Sequence, residues 1–266
     1  MRKFFVIAAI AALIPVSALA QTTDQHKNEA TNWTGFYAGL NTGGTFGSSN
    51  AQTSTVYSNS DIAYYMFSAD NVSIVNSTGN QNLHPKGYAG GLQFGYNRQI
   101  ARWVLGAEAD YSVLAASYTK SGVGLYTGGD DGSFTITQTV STDWMSTVRA
   151  RVGHTFRKRA LIFGSAGAAE TVVRYSSLFT DNYESVNETA SPRVLKTGWV
   201  AGGGAEYALD KHWSARAEYL FADFGTVSNA GDVLTDVWNN TWPDTTFTHT
   251  ATLKSNIGRI AINYRF

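Results

Sequence analysis

The 266-residue chain contains no cysteine and only four prolines. The first absence excludes disulfides, thiolate nucleophiles and cysteine-ligated metal centres. The second leaves few segments barred from regular backbone pairing. An excess of either charge is lacking too. Twenty Lys and Arg stand against 20 Asp and Glu, so the overall balance selects no polyanion and nucleic acid is not an expected partner. Long apolar runs are missing except at the start of the chain.

That start reads as an export signal. Arg2 and Lys3 precede an apolar run from Phe4 to Ala20, which closes on Ala18-Leu19-Ala20. Basic head, apolar middle and small-residue end are the order of a cleavable secretory signal. The run is short for a membrane-spanning helix and is interrupted by Pro15. Residues 1–20 are therefore predicted to be removed, 21–32 to form a periplasmic tail and 33–266 to fold.

What the chain does have is glycine, 26 residues, and aromatics, with 7 Trp, 14 Tyr and 14 Phe. They recur with a period of two, the signature of a strand that sends alternate side chains to opposite faces. In "GYAGGLQFGYN" Tyr88, Leu92, Phe94 and Tyr96 share one face, and Ala89, Gly91, Gln93, Gly95 and Asn97 the other. "WVLGAEADYS", "GWVAGGGAEYAL", "WSARAEYLF", "GFYAGLNTG", "WMSTVRARVG" and the closing "RIAINYRF" behave alike. "LIFGSAGAAETVV" is the weakest, with Glu170 and Arg174 marking its even positions as the polar face. Eight strands are expected.

Between them, polar stretches at about 47–86, 113–140, 175–195 and 226–249 alternate with connections of a few residues near Gln99, Lys158 and Lys211. Long and short connections in alternation describe an antiparallel up-and-down meander, with both termini at the short-turn rim and the long loops outside. The fold expected is all-β, an eight-stranded transmembrane β-barrel closed by pairing of its last strand with its first, because an open edge in lipid is costly.

Three features turn the apolar face outward. Trp103, Tyr111, Trp144, Trp199, Tyr207 and Trp213 sit near strand ends, where amphipathic rings form girdles at the two membrane interfaces. So many rings would overfill a closed eight-stranded interior. The opposite face is glycine and small polar residues with single charges. Those charges are Glu108, Asp110, Glu206 and Glu218 against Arg149, Arg151, Arg216 and Arg259, four against four. They fall within a few levels of one another and are expected to pair across the lumen. The reading adopted is a structural plug; the alternative is an ion path or gate, and a balanced network offers no ion selectivity.

In "NWTGFYAGLNTGG", "GWVAGGGAEYAL", "HWSARAEYLFADFG" and "RIAINYRF" the chain resembles the small eight-stranded OmpA-like outer-membrane barrels of Gram-negative bacteria. More narrowly it resembles the alphaproteobacterial surface-immunogen and hemin-binding barrel family. The resemblance implies that the final aromatic strand, Ile260, Ile262, Tyr264 and Phe266, is the signal read by the barrel-assembly machinery. It also implies roles in envelope integrity and in contact with a host or surface ligand through the loops, and, in some members, hemin binding. Histidine is the natural hemin ligand, and His84 and His249 are the two near the loop rim. No P-loop, H-E-x-x-H or G-x-S-x-G occurs. The expectation is a non-enzymatic structural and surface protein embedded in outer-membrane lipid and carrying no cofactor, with a hemin or host-ligand receptor as the alternative and a narrow porin as a weaker one.

Overall fold

The computed structural model describes residues 31–64, 67–128 and 132–266. The expected export signal, and all but the last two residues of the expected tail, lie outside the described residues. Among the described residues are twelve strands and one helix: β1 (Gly35–Thr55), α1 (Ala69–Thr78), β2 (Asn80–Leu83), β3 (Lys86–Ile100), β4 (Trp103–Leu125), β5 (Ser133–Phe156), β6 (Ala160–Asp181), β7 (Asn187–Ala190), β8 (Arg193–Ala208), β9 (Trp213–Ala230), β10 (Leu234–Thr235), β11 (Thr241–Trp242) and β12 (Phe247–Arg265).

Eight strands are long, from the 15 residues of β3 to the 24 of β5. Each pairs antiparallel with two others, in the sequence β1, β3, β4, β5, β6, β8, β9, β12 and back to β1. The ladder returns to its starting strand, so every long strand has a partner on both sides.

The count of twelve corrects the expected eight. The extra strands are short pieces of connecting segment: β2 lies on the upper part of β1, β7 on β6, β10 on β7 and β11 on β10. Runs of two to four residues carry too few positions for a period to register.

The long polar stretches were also expected as loops, and much of each is strand. β4 continues to Leu125 and β5 begins at Ser133; β6 reaches Asp181, β8 begins at Arg193, β9 reaches Ala230 and β12 begins at Phe247. In the β4–β5 extension the outer face carries polar rungs, the hydroxyl pairs Thr119 with Thr139 and Ser121 with Thr137, each at 2.8 Å. Within 47–86, Ser68 caps α1, its hydroxyl accepting from the Asn71 N–H at 3.2 Å, and Val72 and Val75 are buried.

Alternation places the apolar residues outside. Leu40, Phe94, Val148 and Ile260 are all more than 60% exposed, whereas Glu108, Asp110, Arg149 and Arg216 are 3% or less. In β6 the assignment of faces is the reverse of the expected one. Leu161, Phe163 and Ser165 point inward, while Arg174 points out and pairs with Asp143 on the exterior. A charge far up the strand can pair on the outer face, as Arg174 does with Asp143, and so says nothing about the face below it.

Candidate functional site

The interior is filled in layers that can be followed up single strands. On β6, Leu161 belongs to the lowest layer, Ser165 to a charged one, Val173 and Tyr175 to an apolar one, Ser177 to a polar one and Phe179 to an aromatic one at the top. β12 repeats the order from Arg265 through Arg259, Ile257, Leu253 and His249 to Phe247.

The charged layer contains all eight predicted residues. Register alone makes three pairs: Glu108 lies opposite Arg149, Glu206 opposite Arg216 and Glu218 opposite Arg259. Other bonds cross the ring. Arg149 Nη1 reaches Glu218 Oε1 at 2.8 Å, from β5 to β9, and its Nη2 bonds Asp110 Oδ2 at 2.8 Å and Glu108 Oε1. Arg259 Nη2 bridges Glu218 Oε2 at 2.7 Å and Asp110 Oδ2 at 3.2 Å. Arg151 Nη2 donates to Glu206 Oε2 at 2.5 Å.

The widest link is Arg216 Nη1 to Glu108 Oε2. β9 and β4 are four strands apart in either direction around the ring, so this pair spans the full interior.

Charges so desolvated are tolerable only when paired and when their remaining lone pairs are bonded. Neutral neighbours do the second part. Tyr37 donates its hydroxyl to Glu108, Thr147 donates to Asp110 at 2.6 Å, and Ser214 and Asn263 donate to Glu206 at 2.5 and 3.0 Å. The Arg151 guanidinium lies 3.8 Å from the Phe163 ring centroid, a cation–π stack that covers its hydrogen-bond-free Nε and Nη1. At Gly95 a Cβ would come within 2.6 Å of the Tyr37 hydroxyl, so glycine there gives the ring its place.

Two features of the interior had no counterpart in the sequence reading. Below the charges, Trp33 is 1% exposed and packs with Val104, Leu161 and Ala208. Its backbone N–H donates to Gln99 Oε1 at 2.9 Å, and the Arg265 guanidinium stands 4.7 Å from its ring centroid. Above the charges, Leu83, Leu114, Met145, Leu220, Phe224 and Leu253 form an apolar layer where small residues were expected. The inward Leu114 was not separable because its neighbour Val113, on the outer face, is apolar too.

The predicted girdle residues are outside. Trp103, Tyr207 and Trp213 adjoin the short turns, and Tyr111, Trp144 and Trp199 lie higher, Tyr111 stacked on Trp144 at 5.8 Å. Ile260, Ile262 and Phe266 are exposed on the outer face of the closing strand, with Tyr264 half-buried against the His212 ring at 5.4 Å.

His84 and His249 are not brought together. His84 is exposed near Tyr118, whereas His249 is fully buried, its Nε2 3.0 Å from Glu188 Oε1 and its Nδ1 3.0 Å from Thr53 Oγ1. Both ring nitrogens are engaged, which removes His249 from any surface where it was expected to meet a ligand.

The loops share a core of their own. Tyr64 and Phe67 from the first loop, Val186 from the third and Leu234 from the fourth pack on Phe134, Phe179 and Phe247 at the strand tops. Tyr64 donates to Asp181 at 2.6 Å and Tyr126 to the same oxygen at 2.9 Å.

Residues 6–246 match the model of the family described as outer membrane protein β-barrel domain. A 31 kDa outer-membrane immunogenic protein of Brucella melitensis biotype 1 is 29% identical over 275 residues, covering 99% of this chain and 100% of that protein. The protein of the same name from Brucella suis biovar 1 gives the same figures. Among solved structures, the outer membrane protease OmpT from Escherichia coli aligns over 87% of this chain and 97% of its own, with 10% identity and a TM-score of 0.44. Neisserial surface protein A aligns over 88% and 98%, with 12% identity and a TM-score of 0.35.

Proposed function

Since the chain belongs to the outer-membrane protein β-barrel family, we propose that its eight long strands form one transmembrane barrel, sealed by its own side chains, that serves as a structural and surface-exposed protein of the envelope. Its outer face carries ring pairs at a fixed interval. Tyr88 and Tyr96, Trp103 and Tyr111, Trp199 and Tyr207, and Trp213 and Phe221 are each eight residues apart on β3, β4, β8 and β9. Eight residues rise about 26 Å along a strand and about 20 Å along the normal of a strand tilted by about 40°. That is close to the apolar band of about 25 Å on such barrels. In this orientation the short turns face the periplasm and the shared loop core faces outward.

The observation that carries the reading is the layered filling. A cross-section blocked in turn by Trp33, by ion pairs crossing the full diameter, by an aliphatic layer and by the loop core supports a plug rather than a pore. The loops then act as one surface toward the environment, in keeping with the surface contact that the sequence resemblance implies. A hemin receptor built on His84 and His249 gains no support, because the second imidazole is spent on Glu188 and Thr53.

The absence of cysteine makes the test clean. With single cysteines introduced, a membrane-impermeant maleimide is expected to label Val237→Cys on intact cells and Lys211→Cys only after the envelope is breached. Purified protein in planar bilayers is expected to hold no open level. Labelling of Lys211→Cys from outside, or large steady conductance steps, would overturn the orientation or the seal respectively.

A further inference from the structure

The three short turns are dominated by positive charge. Arg102, Arg157, Lys158, Arg159 and Lys211 lie in them and Arg98 near the end of β3 beside them, against Asp210 as the one acidic side chain in those turns. Asp210 is already engaged, its Oδ1 accepting the N–H groups of His212 and Trp213 at 2.7 Å each to hold its own turn. The chain as a whole is balanced, so this is a segregation of charge and not a by-product of composition.

Each turn places its cations beside the outward rings of the lower belt. Arg102 precedes Trp103, the Arg157 guanidinium lies 5.6 Å from the Phe156 ring centroid, and Lys211 stands two residues before Trp213. Arg98, Arg102, Arg157 and Lys211 are exposed. Arg157 has φ 60°, in the left-handed region that disfavours a side chain, yet it holds a cation at that point.

Building on the orientation proposed above, we propose that this collar binds the anionic phosphate headgroups of the periplasmic phospholipid leaflet and thereby selects acidic phospholipids around the barrel. Rings at the headgroup boundary fix the depth, and cations one or two residues further from the hydrocarbon fall among the phosphates. Guanidinium groups suit the task through paired donors to phosphate oxygens. An anionic cell-wall polymer in the periplasm would meet the same charges but gains nothing from their alignment with the belt.

The experiment uses the full folded protein in vesicles of equal phosphatidylcholine and phosphatidylglycerol, with one lipid brominated at a time to quench tryptophan. Subtracting the signal of a Trp103→Phe/Trp213→Phe variant isolates the lower belt. Quenching by the brominated phosphatidylglycerol is expected to correspond to a preference of about fivefold or more at low salt. The preference is expected to fall toward parity as salt screens the charges. Replacing Arg98, Arg102 and Lys211 by Gln and Arg157 by Asn, which tolerates its backbone angle, is expected to bring parity at all salt concentrations while leaving quenching by phosphatidylcholine intact.

Equal quenching by both lipids in the parent protein, or a preference that survives the four substitutions, would overturn the proposal. So would loss of co-sedimentation with isolated peptidoglycan in the variant without any lipid preference in the parent. If neither brominated lipid quenched the lower belt, the orientation itself would fail first. A variant that does not fold would be recognised by loss of its heat-dependent gel shift, and the parent's salt dependence would then decide the matter.

Discussion

Arg149 shows how much one side chain can organise. It touches Glu108, Asp110 and Glu218, carboxylates from β4 and β9, and its side chain is wholly buried. Truncation leaves three carboxylates sharing the remaining guanidiniums in a medium that solvates none of them. Arg149→Ala is expected to cost about 3–5 kcal/mol. Tyr37→Phe, which removes one hydroxyl donor to Glu108, is expected to cost about 1.5–3 kcal/mol. Urea unfolding of vesicle-embedded protein would rank the two; negligible losses in both would show that the network does not hold the fold. The eight charges were legible because each stands alone among glycines and small residues. Their partners were only partly so: register fixes Glu108 against Arg149, but the bond from Arg216 to Glu108 depends on the curvature that brings opposite walls together.

At the level of elements, the sequence announces strands where two different solvents meet their faces. The lower halves of β3, β4, β8 and β9 alternate clearly for that reason. The upper halves, such as Ser117–Ser121 of β4, carry polar side chains outward and were read as loops. The aliphatic residues over the charges stayed hidden because neither wall there is purely small or polar. Residues 31–34 were illegible for another reason, since a single tryptophan beside the first strand has no periodicity. They run beneath the interior, with the Thr31 N–H donating to the Lys158 carbonyl at 2.8 Å and Trp33 buried above. Trp33→Ala is expected to destabilise the protein by about 3–5 kcal/mol and to leave conductance closed, because the ion-paired layer lies above it. Current through this variant would mean that the tryptophan, rather than the ion pairs, is the seal.

For the molecule as a whole, closure rests on the pairing of β1 with β12. Leu40 lies opposite Ile262 in that ladder, both on the outer face. Leu40→Cys/Ile262→Cys is expected to form an internal disulfide under mild oxidation, visible as altered mobility on non-reducing gels, whereas Leu40→Cys with Ile162→Cys is expected to form none. The opposite pattern would break the ring. The loop core has its own implication. Phe67 from one loop stands 5.8 Å from Phe179 and 5.9 Å from Phe247 on two separate strands. A bulkier or smaller residue at any of these places must be answered at the others, so the rim of this cap can vary one position at a time whereas its keystone residues must change in concert.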